Sequence, residues 1–362
     1  MKIKVEKEDL LNGLISCQGI LSSRSTLPIL SYYLFKVQGG NISILATDLE
    51  VGIDVKIPGE IIEEGTITLP GKKVFDLVRE FPSGVISIFS EENFVTFKQE
   101  KIWAKINYLS PDDFPNIPEV KGREIKIDGS TLKHMVKKTS FAVSHEETQY
   151  MLNGIYITVF ENLISMVSTD TRRLSCVTEE ITLPSPVEVE AILPLKACLE
   201  VSRIMKDEPV TILWGDKQIK FSQKGVSLTT RIIEGEFPDY KVVIPRTFKT
   251  EARINREDFK DAVKRAYIMT KEKSLSMKLK FQDASLMVST RVPDAGESSE
   301  EINIELQGEP LEISFDPVLV LDVLNVIEED TIVFGVNGVE EPGLIKPSER
   351  EGFLYVVMPM KI

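Results

Sequence analysis

An α+β fold of three tandem, similar domains, each with two helices backed by antiparallel sheets, is what the sequence predicts. Three recurring marks predict it. First, strand pairs over 32–37 and 42–45, 152–159 and 163–167, and 277–281 and 286–288 lead into Ala46-Thr47-Asp48, Ser168-Thr169-Asp170 and Ser289-Thr290-Arg291. The last residues of these triplets lie 122 and 121 positions apart. Second, a strand runs through a proline turn into an amphipathic helix at 67–80, 191–206 and 311–327. Third, Pro115, Pro238 and Pro359 close the units at spacings of 123 and 121. Three unrelated features share one period, so domains are expected over 1–121, 122–246 and 247–362.

The N-terminal segment alternates charged and apolar residues (Lys2, Ile3, Lys4, Val5, Glu6) and reads as a strand rather than a signal peptide. Each domain then opens with a helix, over 8–20, 130–143 and 256–269, with Ser130 and Asn255 as expected N-caps of the second and third. The second helix of each domain keeps helical apolar spacing, as in Val74, Leu77, Val78 and Phe81 or Leu195, Cys198, Leu199 and Met205. Proline is expected at its start, where a missing N–H leaves no bond unmade. Strands alternate over 94–98 and 102–108. Strand–helix–strands order occurs twice per domain, which suggests an inner repeat.

The chain carries 43 Lys and Arg against 56 Asp and Glu, a net charge of −13, and 42% of it is hydrophobic. That excludes a disordered chain and a surface that grips a polyanion everywhere. The most apolar run, 317–327, is interrupted by Asp322 and Asn325 and is too short to span a bilayer. Cys17, Cys176 and Cys198 are scattered, which reads as free thiols in a reducing cytoplasm. The helices depart from the acidic average. Lys133, Lys137 and Lys138 stand without an acid over 130–145, and Lys196, Arg203 and Lys206 outnumber Glu200. Acid collects in connecting stretches such as Glu328-Glu329-Asp330. One basic face on an acidic molecule is the expectation.

Catalytic patterns are missing. His134 and His145 have no metal-ligand spacing, Pro70-Gly71-Lys72-Lys73 lacks the rest of a phosphate loop, and no Gly-x-Ser-x-Gly occurs. Asp48 and Asp170 occupy equivalent repeat positions, which argues against an acid–base pair. No metal, cofactor or catalytic residue is expected, and a scaffold fits better than an enzyme. A protein-binding adaptor that never touches DNA, and a hydrolase using Asp48, Asp112, Asp113 or Asp170, are the competing classes.

The segments Thr26-Leu27-Pro28-Ile29-Leu30, Ala46-Thr47-Asp48-Leu49-Glu50, Asp113-Phe114-Pro115-Asn116, Leu152-Asn153-Gly154, Glu236-Phe237-Pro238-Asp239-Tyr240, Asp322-Val323-Leu324-Asn325 and the terminal Tyr355-Val356-Val357-Met358-Pro359-Met360-Lys361-Ile362 resemble the bacterial DNA polymerase III beta subunits, the replicative sliding clamps. The resemblance spans the whole chain. It implies the DNA-clamp fold, with a head-to-tail homodimer closing into a ring around double-stranded DNA, helices lining the hole and sheets outside. Sequence readout is not needed in such a ring, because phosphate contacts orient a duplex without specifying bases. By position, the resemblance implies DNA contacts at Arg24, Lys72, Lys73, His145, Tyr150, Met151 and Lys196. It implies a partner-peptide pocket at Leu152, Thr169, Thr171, Arg172, Arg173, Leu174, Pro238, Val242, Val243, Val356, Val357, Met358, Pro359 and Met360. The polymerase alpha subunit, the clamp-loading ATPase, other polymerases and repair proteins would dock there through short linear motifs. Thr171-Arg172 departs from the Gly-His pair usual in the family. A subunit contact is implied between Ala104, Ile106, Tyr108 and Ile268, Met269. The setting implied is the cytoplasm, at the nucleoid, with no membrane.

Overall fold

A computed structural model describes residues 1–22, 26–270, 276–292 and 296–360. The first repeat runs β1 (Lys2–Glu6), α1 (Lys7–Gln18), β2 (Tyr32–Gln38), β3 (Asn41–Thr47), β4 (Val51–Ile57), β5 (Glu60–Glu63), β6 (Gly65–Pro70), α2 (Gly71–Glu80), β7 (Val85–Ser90), β8 (Phe94–Gln99) and β9 (Ile102–Asn107). The second runs β10 (Arg123–Asp128), α3 (Gly129–Thr139), β11 (Gly154–Glu161), β12 (Leu163–Thr169), β13 (Arg173–Glu180), β14 (Val187–Pro194), α4 (Leu195–Ile204), β15 (Pro209–Trp214), β16 (Gln218–Gln223) and β17 (Val226–Arg231). The third runs β18 (Thr250–Asn255), α5 (Arg256–Thr270), β19 (Met277–Gln282), β20 (Ser285–Val292), β21 (Gly296–Gly308), β22 (Leu311–Phe315), α6 (Pro317–Val326), β23 (Thr331–Val336), β24 (Gly343–Pro347) and β25 (Phe353–Val357). Leaving out the extra β5, one strand, one helix and three strands recur six times, so the inner repeat is as regular as the outer one.

The chain divides into two compact units. The first comprises Met1–Leu132 and Lys196–Ile232. It contains a five-stranded sheet, β5-β1-β7-β8-β9, and an eight-stranded sheet, β10-β15-β16-β17-β4-β3-β2-β6. The second comprises Lys133–Leu195 and Ile233–Ile362 and contains a twelve-stranded antiparallel sheet, β14-β11-β12-β13-β25-β24-β23-β18-β21-β20-β19-β22. Residues of the middle repeat are therefore shared between the units.

Alternation explains the strands. In β2, Tyr33, Phe35 and Val37 are buried while Lys36 and Gln38 are exposed, and the Tyr33 hydroxyl donates to the Leu14 carbonyl of α1. In the second unit Phe334 is a hub whose ring centroid lies 5.5–6.2 Å from those of Phe259, Phe281 and Phe315. α6 is apolar nearly all round because Leu319, Val320, Val323 and Leu324 are all buried. Asp316 starts it, accepting the Val318 N–H at 2.9 Å, with Pro317 as its first residue.

Some local expectations needed correction. Pro70 and Pro194 end strands rather than start helices, so only α6 opens on a proline. Asn255 does cap α5, accepting the Asp258 N–H at 3.1 Å, but Ser130 lies inside the first turn of α3. The helix expected over 130–143 stops at Thr139 and continues as a 3-10 turn over Ser140–Ala142. Ser289-Thr290-Arg291 forms no turn: β20 runs straight through it, paired with β21.

Candidate functional site

The Thr169–Arg173 turn, whose residues stand out in the sequence, is built by local hydrogen bonds. Thr169 Oγ1 donates to the Arg173 carbonyl at 2.6 Å and accepts the Thr171 N–H at 3.1 Å. Asp170 Oδ1 accepts the N–H groups of Arg172 and Arg173 at 3.0 and 3.1 Å. Thr171 takes φ = 72°, the left-handed region where a glycine has no steric penalty. Thr171 is thus a non-glycine residue held by these bonds in a conformation that favours glycine.

Two arginines tie the turn to α6. Arg172 Nη2 donates to Asp316 Oδ2 at 2.6 Å; Asp316 is 2% exposed and Arg172 55%, so the guanidinium covers a buried carboxylate while keeping its other edge in solvent. Arg173 is 12% exposed. Its Nε donates to Asp170 Oδ2 at 2.9 Å, its Nη1 donates to Asp322 Oδ2, and its guanidinium lies 5.6 Å from the Phe141 ring centroid. Asp322 and Arg173 therefore belong to one network although the sequence separates them by 149 residues.

β13 pairs with β25, placing Leu174 opposite Val356 and Arg173 opposite Val357, and the Met358 N–H donates to the Arg172 carbonyl at 2.9 Å. Leu174 and Val356 join Val167, Cys176 and Leu344 in one buried cluster, flanked by the partly buried Tyr156, Phe237, Tyr240, Ile244, Phe248 and Leu354. Tyr156 stacks on Phe237, centroids 4.8 Å apart and planes 3° apart, with Tyr240 edge-on. Burial pushes the Tyr240 hydroxyl up to about 12 and the Cys176 thiol up to about 11. Beyond these rings opens a groove of about 490 Å³ whose walls include Tyr156, Phe160, Glu190, Pro238, Tyr240 and Lys241.

The expected pocket residues divide accordingly. Thr169, Thr171, Arg172, Arg173 and Leu174 are brought to Val356, Val357 and Met358 by strand pairing. Val357 is fully buried and alternates with Val356, so it faces the opposite side of the sheet from the cluster. Val242 and Val243 are exposed on the 3-10 turn Tyr240–Val243, Val242 at 77%. Pro359 and Met360 lead away, the Met360 N–H donating to the Ser314 carbonyl at 2.8 Å. Leu152 is buried at the end of the 3-10 turn Glu147–Leu152, and its carbonyl accepts the Ser144 N–H. Of all these, only Pro238 also lines the groove. Tyr156, Phe237 and Leu344 escaped the sequence reading. Phe237, beside Pro238 in the closing motif, was the available signal.

The basic helices are less free than their sequence suggests. Lys138 is buried: its Nζ donates to the Val326 carbonyl at 2.5 Å and lies 4.9 Å from the Phe353 centroid, and desolvation lowers its pKa. Lys137 pairs with Glu328 at 2.6 Å and Lys196 with Asp48 at 2.5 Å. Arg203 donates to Glu200 and to the carbonyls of Ile15 and Ser16 at the end of α1. Lys72 and Lys73 stand exposed on α2, and His145, Tyr150 and Met151 are exposed around the Glu147–Leu152 turn. Arg24 lies outside the described residues. His134 is 3.7 Å from Glu179, yet burial lowers its pKa. Among the described residues no group of three or more His, Cys, Asp or Glu could hold a metal ion.

At the expected subunit contact, Ile106 is buried, Ala104 and Tyr108 are half-buried, and β9 is the edge strand of its sheet with Trp103 65% exposed. Ile268 on α5 is 71% exposed beside the half-buried Met269.

Comparison with known proteins gives one answer along the whole length. Residues 1–118, 126–239 and 241–361 match the family models of the N-terminal, central and C-terminal domains of the DNA polymerase III beta subunit. The chain is 31% identical to the beta sliding clamp of Pseudomonas aeruginosa and 30% to that of Caulobacter vibrioides, with both chains fully covered in each case. It superimposes on the crystal structure of the Pseudomonas aeruginosa DNA polymerase III subunit beta with a TM-score of 0.97 at 30% identity, both chains being covered completely. The Thermotoga maritima beta subunit gives 0.94, also at 30%, covering all of this chain and 99% of that one. Three tandem domain matches in the family's own order, over a sixfold βαβββ framework, make this chain a member of the DNA polymerase III beta subunit family, the bacterial sliding clamps.

Proposed function

We propose that this chain is a replicative sliding clamp: two copies join head to tail into a ring around double-stranded DNA and tether the replicative polymerase through the apolar surface at Leu174 and Val356. The full-length match to clamps in all three domains carries this reading, with clamp domains proposed at 1–121, 122–246 and 247–362. The chain is a non-catalytic subunit of the polymerase holoenzyme. A closed ring holds DNA by topology, so its contacts need only centre the duplex. Lys72, Lys73, His145, Tyr150 and Met151, together with Arg24 and Lys196, are assigned to that task. Pairing of Lys196 with Asp48 leaves it a weaker attractor than Lys72 or Lys73, and weak screened contacts favour sliding.

Closure would use the open edge of β9, whose exposed Trp103 and unpaired backbone groups favour a second strand, with Ala104, Ile106 and Tyr108 meeting Ile268 and Met269 of the other copy. For partners, Leu174, Val356 and Met358 supply an adaptable apolar floor, Thr169, Thr171, Arg172 and Arg173 its rim, and Leu152, Pro238, Val242, Val243, Val357, Pro359 and Met360 its surroundings. A sliding clamp of Pseudomonas aeruginosa has been crystallised with griselimycin, which supports the presence of a ligand surface in the family. Polymerase, clamp-loading ATPase and repair proteins are the proposed occupants, in the cytoplasm at the nucleoid. No helix among the described residues is long and apolar enough to cross a membrane.

The test is primer extension on a long single-stranded circle by a replicative polymerase with its loading ATPase. Adding this chain should lengthen products from tens of nucleotides to thousands, order-of-magnitude figures for a tethered against an untethered enzyme. Products of unchanged length would reject the reading.

A further inference from the structure

The turn at Thr169–Arg173 has a twin. At Thr47–Val51, Thr47 Oγ1 donates to the Val51 carbonyl at 3.0 Å and accepts the Leu49 N–H at 3.1 Å, and Asp48 Oδ1 accepts the N–H groups of Glu50 and Val51 at 3.1 and 2.7 Å. These are the same four bonds, made by residues 122 positions earlier. Leu49 takes φ = 81° where Thr171 takes 72°. The following strand again pairs with the last strand of the next repeat. In β4–β17 Gly52 faces Thr229, as Leu174 faces Val356 in β13–β25. The Arg231 N–H donates to the Glu50 carbonyl at 2.9 Å, as the Met358 N–H donates to that of Arg172. The chain thus builds one frame twice, and each copy lies wholly within one unit.

What rests on the frame differs. The position of Leu174 is Gly52, and Ile117 fills the space above it: a Cβ on Gly52 would stand 2.9 Å from both Cγ1 and Cγ2 of Ile117. Around Ile117 remains a cavity of about 180 Å³, bordered by Thr47, Leu49, Asn116, Thr229 and Arg231. Linker length accounts for the difference. β10 begins eight residues after Pro115, whereas β18 begins twelve after Pro238. Ile117 sits on the frame two residues past Pro115; two residues past Pro238 stands Tyr240, which packs beside the Leu174 cluster, and the longer linker carries Val242 and Val243 beyond it into solvent.

We infer that this first frame is a second, latent site for the same class of ligand, a short linear peptide anchored by an aliphatic side chain, kept closed by Ile117 as the chain's own ligand. The inference rests on the second frame being the partner-peptide surface. Its occupant is argued from what already sits there: an aliphatic side chain on an extended, proline-flanked segment, Pro115-Asn116-Ile117-Pro118. A partner's leucine or isoleucine can replace it, but only by evicting it, and the affinity falls with the population of the open state.

The experiment is calorimetric titration of the full-length protein with a synthetic leucine-rich pentapeptide, leucine being the aliphatic anchor argued for, read for stoichiometry. The unaltered chain should bind one peptide. Ile117→Ala, which removes most of the plug, should bind a second, that site tightening by about 50-fold, the equivalent of one buried aliphatic side chain. Ile117→Thr, which keeps the branched shape of the plug but sets a hydroxyl on the frame, should also release a second site, and it covers the case in which Ile117→Ala does not fold. Ile117→Ala combined with Met358→Ala should keep only the new site. One peptide per chain in both Ile117→Ala and Ile117→Thr overturns this inference and leaves the partner surface standing. No binding to the unaltered chain would overturn the partner surface itself.

Discussion

Replacing Arg173 by methionine removes the guanidinium, its contact with the Phe141 ring included, while keeping an unbranched side chain. Two charge-assisted bonds are lost, to Asp170 and to Asp322. Asp170 is mostly buried but still accepts two backbone N–H groups, so it is not left as a bare buried charge. That bond is worth about 1.5–3 kcal/mol. Asp322 is a third exposed and can rehydrate, so its share is discounted to about 0.5–1 kcal/mol. Together the substitution should destabilise the β13–α6 region by about 2–4 kcal/mol. Three domains make global unfolding a poor measure, so the assay is native-state hydrogen exchange at the amides of β13 and α6. Adding Asp322→Asn completes a double-mutant cycle, and a coupling near 0.5–1 kcal/mol is expected. An opening free energy changed by less than about 0.5 kcal/mol, with no coupling, would refute the view of Arg173 as a cross-link between the turn and α6.

Met358→Ala should weaken partner-peptide binding at least about tenfold, since it strips an exposed apolar side chain from the floor while its N–H still holds the Arg172 carbonyl; unchanged affinity in a fluorescence titration would contradict this. Truncation offers a cruder test only from Met358 onward, because Val356 and Val357 belong to β25, whose loss would open the twelve-stranded sheet. Ile268→Asp with Met269→Asp should give monomers by light scattering, because a buried unpaired charge at the proposed contact is strongly unfavourable; a persistent dimer would move the contact elsewhere. Alkaline pH should destabilise the fold: burial pushes Cys176 up to about 11, Cys198 up to about 12 and Cys17 higher, from 9.0. The unfolded chain loses these protons first, so stability falls as pH rises through 9. Each thiol then removes about 1.4 kcal/mol by pH 10, and Cys198→Ala should lessen the fall of the urea midpoint between pH 8 and 10.

Repetition was the most legible feature of the sequence. One period ran through Asp48 and Asp170, Pro115 and Pro238, and the helices after each strand, and no local propensity had to be weighed to see it. The family's C-terminal residues made the partner surface legible in the same way. Its neighbours were not: Tyr156, Phe237 and Leu344 gather at Leu174 through strand pairing and tertiary packing, and no sequence spacing brings them together. Charge was legible as composition and not as availability. Lys138 reads as a surface lysine beside Lys137, yet it is buried with its head on the Val326 carbonyl, because α6 ends there with unsatisfied carbonyls. Likewise Lys196 and Asp48, 148 residues apart, become one ion pair. The same period that revealed the domains also hid a difference, since Gly52 and Leu174 hold one frame position with opposite consequences.

Topology is the central claim, and retention on DNA of defined topology tests it most directly. The protein is loaded by its ATPase onto nicked circular duplex, washed at high salt, and the circle is then cut once at a site away from the protein. Charge-based attachment would be screened away at the wash. The account predicts that the protein survives the wash on circles and is released when the circle becomes linear, with a half-life set by sliding to an end. Release at the wash, or equal retention on circular and linear DNA, would contradict it.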